Sequence, residues 1–424
     1  MKFAVVGGGY TGLMAALRLL QRGHEVEIHE AGEALGGLVR DVVLPHGRFF
    51  QGCQYMNLDA DLMALCQGIP GAGLTVFPHR YGSWTDLFGP ARVHHDFAQP
   101  LVTGPLGALP PDRGEPRSLA DHLDRFEPRV AVPLLRWAAR HGPVGQLTAG
   151  NAVPLQIGRV FYADALAAVQ QAKRTDVRAD RVLGVPRSLF APPSPVQGAA
   201  LPMQGFDAFI ARLGDELLAR GARIHLRSPA KPQLDAQQRC QVLVRQQVVE
   251  ADAVVWCANP TPLLQRVAGE RLDSLPLRCM HLYATLDGEA PETPFYVQTF
   301  SARHPLLRLF CYPLHDAAGG PRLTVEALDE GWSLAQLVHA TERVLQDMGW
   351  KARIREAAVA PNVRYTLVTQ HDAAVLARFA QRAATHGIVT GGWQHYGRNP
   401  RLHDVFRQLD TMTATHRTAE LEPA

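Results

Sequence analysis

The chain opens on an apolar run of strand length, Phe3-Ala4-Val5-Val6, that stops at Gly7-Gly8-Gly9. Leu13, Ala16, Leu17 and Leu20 then recur at helical spacing, which predicts a helix over 11–22, a turn at Gly23 and a second strand over 25–30. That is a βαβ start. From about 58 to 202 the period is lost. Short strand-like runs (75–77, 82–88) are mixed with a proline-rich loop at 104–116, a helix beginning at Ser118 with Asp121 as its reciprocal acid, and a Pro-rich connection at 186–202. Regularity then returns. Phe206, Phe209, Ile210, Leu213 and Leu217 mark an amphipathic helix that ends at Gly221, followed by strands at 223–226, 242–244 and 253–256. The stretch 275–330 alternates like an antiparallel sheet, and Ser333 caps a helix over 334–348. The last strand, 387–390, runs into Gly391-Gly392. A terminal helix follows, carrying Leu402, Val405, Phe406, Leu409 and Met412 on one face, with Asn399-Pro400 as its expected start.

Length and composition narrow the classes. At 424 residues the chain is too long for one ordinary core, so two domains or one elaborated domain are expected. Lys+Arg is 43 against Asp+Glu 40, a formal charge of +3, which offers no field to attract nucleic acid or an anionic membrane. No segment is long and apolar enough for a membrane span, and the opening apolar run is too short for a signal peptide. The six cysteines are scattered without a CxxC pair or zinc spacing, so a reduced, cytoplasmic protein without a metal site is expected. His94-His95-Asp96 has no third ligand at fixed spacing and reads as a solvated loop. Cys53 reads as a buried, inert thiol. Neither a GxSxG elbow nor an HExxH helix is present.

The chemistry lies in the first turn. Gly7, Gly9 and Gly12 fit GxGxxG between strand and helix: the first permits the tight turn, the second lets the backbone approach a pyrophosphate, and the third lets helix pack on strand. The N–H groups at the helix start, including those of Tyr10 and Thr11, then face the phosphates. Glu30 follows 18 residues after Gly12, at the end of the second strand, where a carboxylate can accept from an adenosine ribose. A dinucleotide is implied. NAD and FAD are not separated by these residues alone.

With Gly36-Gly37 added, the segment resembles the start of the FAD-dependent amine oxidase, protoporphyrinogen oxidase and UDP-galactopyranose mutase superfamily. Pro202-Met203-Gln204-Gly205-Phe206, Asp252-Ala253-Val254-Val255-Trp256 and Gly387-Ile388-Val389-Thr390-Gly391-Gly392 are similar to later segments of the same superfamily, in the same order. The resemblance implies FAD and an α/β fold: a discontinuous Rossmann-like FAD-binding domain (1–57, 200–265, 350–424) and a second α+β substrate domain with an antiparallel sheet (58–199, 266–349). Gly36, Gly37, Gln54, Gly391 and Gly392 join the expected cofactor-binding residues.

The closest branch is mutase-like. Phe50-Gln51-Gly52-Cys53-Gln54-Tyr55-Met56-Asn57 stands where mutases carry a segment over the flavin, and Pro305-Leu306-Leu307-Arg308-Leu309 resembles a strand with a diphosphate-binding arginine. Arg187 is a looser second match. Tyr396 keeps the first tyrosine of the C-terminal mutase pattern, while Arg398 and Pro400 replace its second tyrosine and its aspartate. The resemblance thus makes Arg308, Tyr55 and Tyr396 the expected catalytic or substrate-contacting residues. It implies an oxidoreductase passing hydride from a small polar substrate to flavin N5. Two alternatives stand beside it: a mutase-like isomerase of nucleotide-sugars working with reduced FAD, and a non-catalytic binding module such as the Rab-escort and GDP-dissociation-inhibitor proteins.

Overall fold

Five short strands pair in parallel in the order Ile388–Thr390, Ala253–Trp256, Lys2–Val6 (β1), Glu25–His29 (β2) and Arg223–His225. The structure is a computed structural model that describes residues 1–56, 59–78, 80–96, 101, 114–160, 171–172, 175–176, 198–273, 275–312, 320–395 and 397–421. β1 is buried on both faces, as a central parallel strand must be, and so reads as one apolar run. β2 alternates instead: Val26 and Ile28 turn to the main core, while Glu27 and His29 turn to the other face. Between them runs the helix Tyr10–Gln21 (α1), packed by the helices Phe206–Ala219 and Arg398–Leu421. Leu13 is fully buried there, and truncating it to alanine would cost about 2–5 kcal/mol. The sheet's opposite face is covered by a three-stranded meander (Ala230–Leu234, Cys240–Val244, Gln247–Val249) and the helix Gln370–Ala383, around Trp256 and Phe379.

A second sheet of seven strands runs Ala352–Leu367, Leu275–Gly288, Arg322–Leu328, Leu306–Tyr312, Phe295–Phe300, Arg80–Thr85, Arg92–His95. Its pairs are antiparallel except where Phe295–Phe300 meets Arg80–Thr85 in parallel, since these strands come from distant stretches of chain. Alternation gives the sheet two different faces. Val297, Leu309 and Val325 point outward under the helix Leu334–Asp347, whose start is closed by the expected capping box of Ser333 with Gln336. Tyr296, Phe310 and Tyr312 point inward and join the same core cluster as β1 and α1, so one apolar core links the two sheets.

Four expectations change. Residues 352–367, assigned by sequence to the dinucleotide-binding part, are an outer strand of the seven-stranded sheet, paired along their length with Leu275–Gly288. Gly198–Pro202, within the Pro-rich connection, pairs antiparallel with Leu74–Pro78 because backbone groups buried there need partners. The terminal helix starts at Arg398, so Asn399 and Pro400 lie inside its first turn and do not cap it. His94 and His95 end a strand, and His94 is buried; Asp96 is held by the Tyr81 N–H (3.1 Å) and Arg80 (2.6 Å). The capping box of Ser118 and Asp121 forms as read, on the helix Leu119–Leu123. The loop at 104–113 and Arg187 lie outside the described residues.

Candidate functional site

Val6, Trp256 and Thr390 are aligned across three parallel strands, and His29 aligns with Val6 on the other side. The residues that come next, Gly7, Cys257, Gly391 and Glu30, therefore leave the sheet at one edge, its carboxyl end, where open α/β sheets bind ligands. Each glycine of the turn has a geometric cause. Gly7 holds φ +101°, and a Cβ on it would stand 2.9 Å from the Ala258 nitrogen. At Gly12 a Cβ would fall 2.1 Å from the Gly7 carbonyl oxygen, so only glycine lets α1 sit this close to β1. Gly9 differs. A Cβ there meets nothing nearer than the Gly37 Cα at 4.0 Å, so fold packing does not demand glycine and the side is open to an approaching group.

Gly36 and Gly37 complete the cradle. The Gly36 N–H donates to the Gly8 carbonyl (2.8 Å), and both residues take positive φ, +103° and +60°. α1 begins at Gly9 without a side-chain cap and without an acid in its first turn, which leaves its N-terminal N–H groups and partial positive charge to an anion. Glu30 accepts the Gly8 N–H (2.7 Å) and the Gly32 N–H (2.6 Å), one on each oxygen. A carboxylate has about four lone-pair sites, so this engagement fixes its direction and still leaves acceptor capacity for hydroxyls. The residues present therefore fit the phosphates and ribose of a dinucleotide.

A series of contacts ties this cradle to the inner face of the seven-stranded sheet. Arg398 lies over the Tyr10 ring (5.8 Å to its centroid), donates to Cys53 Sγ (2.8 Å) and reaches the Tyr55 carbonyl at 3.4 Å. Burial pushes the Tyr10 phenol well up, and it shares a 3.3 Å contact with Cys66. Gln54 is buried, donates to the Phe50 carbonyl (3.0 Å) and accepts from the Tyr312 hydroxyl (3.0 Å). Gln54 thus clamps residues 50–56 to the sheet, both ends of its amide engaged within the protein. Cys257, beside Gly7, has its thiol pushed up to about 12 by burial and is no nucleophile at neutral pH.

Tyr55 stacks edge-on against Phe310 (6.1 Å) and its phenol is pushed up, first by burial, so it stays protonated. Arg159, Tyr296 and Arg308 act electrostatically on the same phenol. Arg308 is buried, pairs with buried Glu326 (Nε to Oε2, 3.0 Å) and donates to the Pro154 carbonyl (2.8 Å). Behind Glu326 stands His281 (3.8 Å), whose Nδ1 is 3.0 Å from the Tyr283 hydroxyl. Tyr55 and Arg308 are therefore brought together, and Tyr396 lies outside the described residues. Gly391 and Gly392 stand at the carboxyl edge: a Cβ on Gly391 would fall 2.7 Å from Trp393 Nε1, and Gly392 holds φ +66°. Sequence reasoning missed Arg159, whose guanidinium lies 4.2 Å over the Tyr81 ring and 5.0 Å from that of Tyr296. No local motif announces it. It also passed over Arg398, seen only as a departure from the mutase pattern.

Fold and turn together define a protein with a Rossmann-like dinucleotide-binding sheet roofed by a second, mostly antiparallel sheet. The family model for an NAD(P)-binding Rossmann-like domain matches residues 5–68. No curated protein matches the chain by sequence. Among solved structures, the chain matches reduced UDP-galactopyranose mutase with TM-score 0.64 at 14% identity, over 97% of this chain and 96% of that one. A protein from Exiguobacterium sp. 255-15 assigned as a protoporphyrinogen oxidase matches with TM-score 0.61 at 16% identity, over 99% of both chains. A putrescine oxidase triple mutant, redesigned in its cofactor binding, matches with TM-score 0.62 at 16% identity, over 98% of this chain and 99% of that one. What this chain shares with them is the fold, along its whole length.

Proposed function

We propose that the chain is an FAD-dependent oxidoreductase acting on a small polar substrate. The observation that carries this reading is the convergence of Gly7, Glu30 and Gly391 at one sheet edge, around the uncapped start of α1, with Tyr55 and Arg308 on the roofing side. In this reading the cofactor-binding part comprises 1–57, 200–265 and 368–424, and the substrate part 58–199 and 266–367. Gly9, Tyr10, Thr11 and Gly12 offer backbone N–H groups to the pyrophosphate, Glu30 holds the ribose, and Gly36, Gly37, Gly391 and Gly392 keep side chains out of the cofactor's path.

When bound, the flavin supplies hydride acceptance at its N5. The chain's own residues do the remainder. Tyr55, Tyr296 and Phe310 wall the substrate and exclude water, and Gln54 keeps that wall at fixed height through Tyr312. Glu326 and Pro154 hold the Arg308 guanidinium from two sides, so it presents a fixed donor to a polar group on the substrate. The relevant experiment is purification followed by visible spectroscopy and anaerobic addition of candidate amines and alcohols. A yellow protein with about one FAD per chain, bleached by one of them, is expected. A colourless protein that takes up no FAD would overturn the proposal and favour a binding module.

One observation favours the mutase-like reading as the second. Arg159 and Arg308 act on the same phenol, with Glu326 as the acid paired to Arg308, which suits an anionic substrate such as a nucleotide-sugar diphosphate better than a cationic diamine. Sugar-nucleotide isomerisation that appears only after dithionite reduction would establish it.

A further inference from the structure

Glu27, His29 and His225 meet on the face of the parallel sheet that α1 does not cover. Glu27 and His29 are two apart on β2 and so point the same way, and His225 is the direct parallel partner of His29 on the neighbouring strand. The two imidazoles stack at 4.9 Å and 8°, and both aim Nε2 at the same carboxylate oxygen, Glu27 Oε1: His225 at 3.0 Å and His29 at 3.6 Å. The three ligand atoms all lie within 4.8 Å of one another.

We propose that these three residues form a binding site for a divalent transition-metal cation of the zinc or cobalt kind, separate from the dinucleotide cradle. The distances suit one. Zinc bonds of 2.0–2.1 Å in a tetrahedron put neighbouring ligand atoms about 3.3–3.4 Å apart, and the two measured separations bracket that value. His29 supplies the independent sign. It is 3% exposed, and its Nε2 is buried without a hydrogen-bond partner, directed into the cluster. Its other nitrogen, Nδ1, sits 3.1 Å from Ser228 Oγ, the outer hydrogen bond that fixes a ligating imidazole's tautomer.

The charges around the cluster are compatible. Arg223 binds the other Glu27 oxygen, Oε2, at 2.8 Å, and Lys2 lies 4.0 Å from it, so Oε1 remains the atom facing both imidazoles. Two imidazoles and one carboxylate leave a fourth position to water, and a cavity of about 420 Å³, lined also by Ser228, Val244 and Glu250, adjoins the cluster. A simple contact between Glu27 and His225 would give the same 3.0 Å separation without metal, and the experiment separates the two.

The untagged, flavin-loaded protein is dialysed against Zn²⁺ and bound metal is counted by atomic emission, with flavin absorbance recorded beside it. One Zn²⁺ per chain at micromolar affinity is expected. His225→Ala, at a side chain 43% exposed that the core does not need, should weaken binding by more than about tenfold, and Ser228→Ala by about tenfold, with flavin content unchanged. His371→Ala removes the imidazole of the other His/Asp cluster, Asp273-His371-Asp372, and should leave binding intact. Absence of micromolar Zn²⁺ binding, or binding that survives His225→Ala, would overturn the proposal whatever the flavin content. Loss of flavin with Zn²⁺ binding retained would instead count against the reading of the cradle.

Discussion

Arg308 and Glu326 face each other across neighbouring antiparallel strands, 3.0 Å apart and both buried. Each makes the other's burial tolerable, because a lone charge in this position would lose its hydration without compensation. Glu326→Ala should therefore destabilise the protein by about 3–5 kcal/mol, read as a fall in the urea midpoint. Arg308→Met combined with Glu326→Leu should recover most of that stability while losing substrate binding. A single Glu326→Ala variant as stable as the parent would show that the pair is not a desolvated one.

Two substitutions of equal size in the glycine turn should behave oppositely. Gly12→Ala puts a methyl 2.1 Å from the Gly7 carbonyl oxygen, so α1 must move and the melting temperature should drop, with flavin lost as a consequence. Gly9→Ala meets only the Gly37 Cα at 4.0 Å, so the fold should melt where the parent does while flavin uptake falls by about tenfold or more. Melting curves and the flavin-to-protein absorbance ratio decide it. Equal flavin retention in Gly9→Ala and the parent would refute the assignment of the turn.

Three of the buried histidines contribute to the response to acid. Burial pushes His94 down to about 3, and His141 and His304 down to about 4. Unfolded, each takes a proton near pH 6.5; folded, each stays neutral until the lower value is reached. The unfolded state thus binds more protons between about pH 6.5 and 4, so stability is full above that window and is lost as pH falls through it, by at most about 1.4 kcal/mol per pH unit per group. His141 packs against Trp137 at 4.4 Å, and His141→Phe should flatten the slope of urea midpoint against pH. An unchanged slope would remove His141 from the account.

The Ser333 hydroxyl accepts the Gln336 N–H at 3.3 Å, and the Gln336 side chain returns a bond to the Ser333 N–H at 2.9 Å. Ser333→Ala should cost about 1 kcal/mol. The helix it starts packs on the outer face of the seven-stranded sheet, away from Tyr55 and Arg308, so turnover should be preserved. A loss of turnover without a change in melting would mean the outer face reaches the site.

Local order was readable where one segment carries its own explanation. β1, α1, β2 and the glycine turn follow from period and spacing, and the caps at Ser118 and Ser333 follow from residues three apart. Partners distant in sequence were not readable. The chemistry of Arg308 depends on Glu326, which only strand register reveals, and Arg159 reaches Tyr81 and Tyr296 from an isolated turn with no periodic neighbours. Residues 352–367 belong to the seven-stranded sheet through their pairing with Leu275–Gly288, a partner that only strand register reveals, and Pro361 is tolerated there because the strand lies at the border of the sheet. Glu27, His29 and His225 look unrelated in the sequence, since 196 residues separate His29 from His225.

The parallel sheet draws its five strands from 2–6, 25–29, 223–225, 253–256 and 388–390. During synthesis the first two strands, which pair with each other, must therefore wait for more than half of the polypeptide before their outer neighbours at 223–225 and 253–256 emerge, and the loop closures that join these are long and slow. A ribosome stalled ahead of residue 388 would hold a nascent chain in which Ala253–Trp256 is left as an uncovered border of that sheet, with its backbone groups open to pairing with another chain.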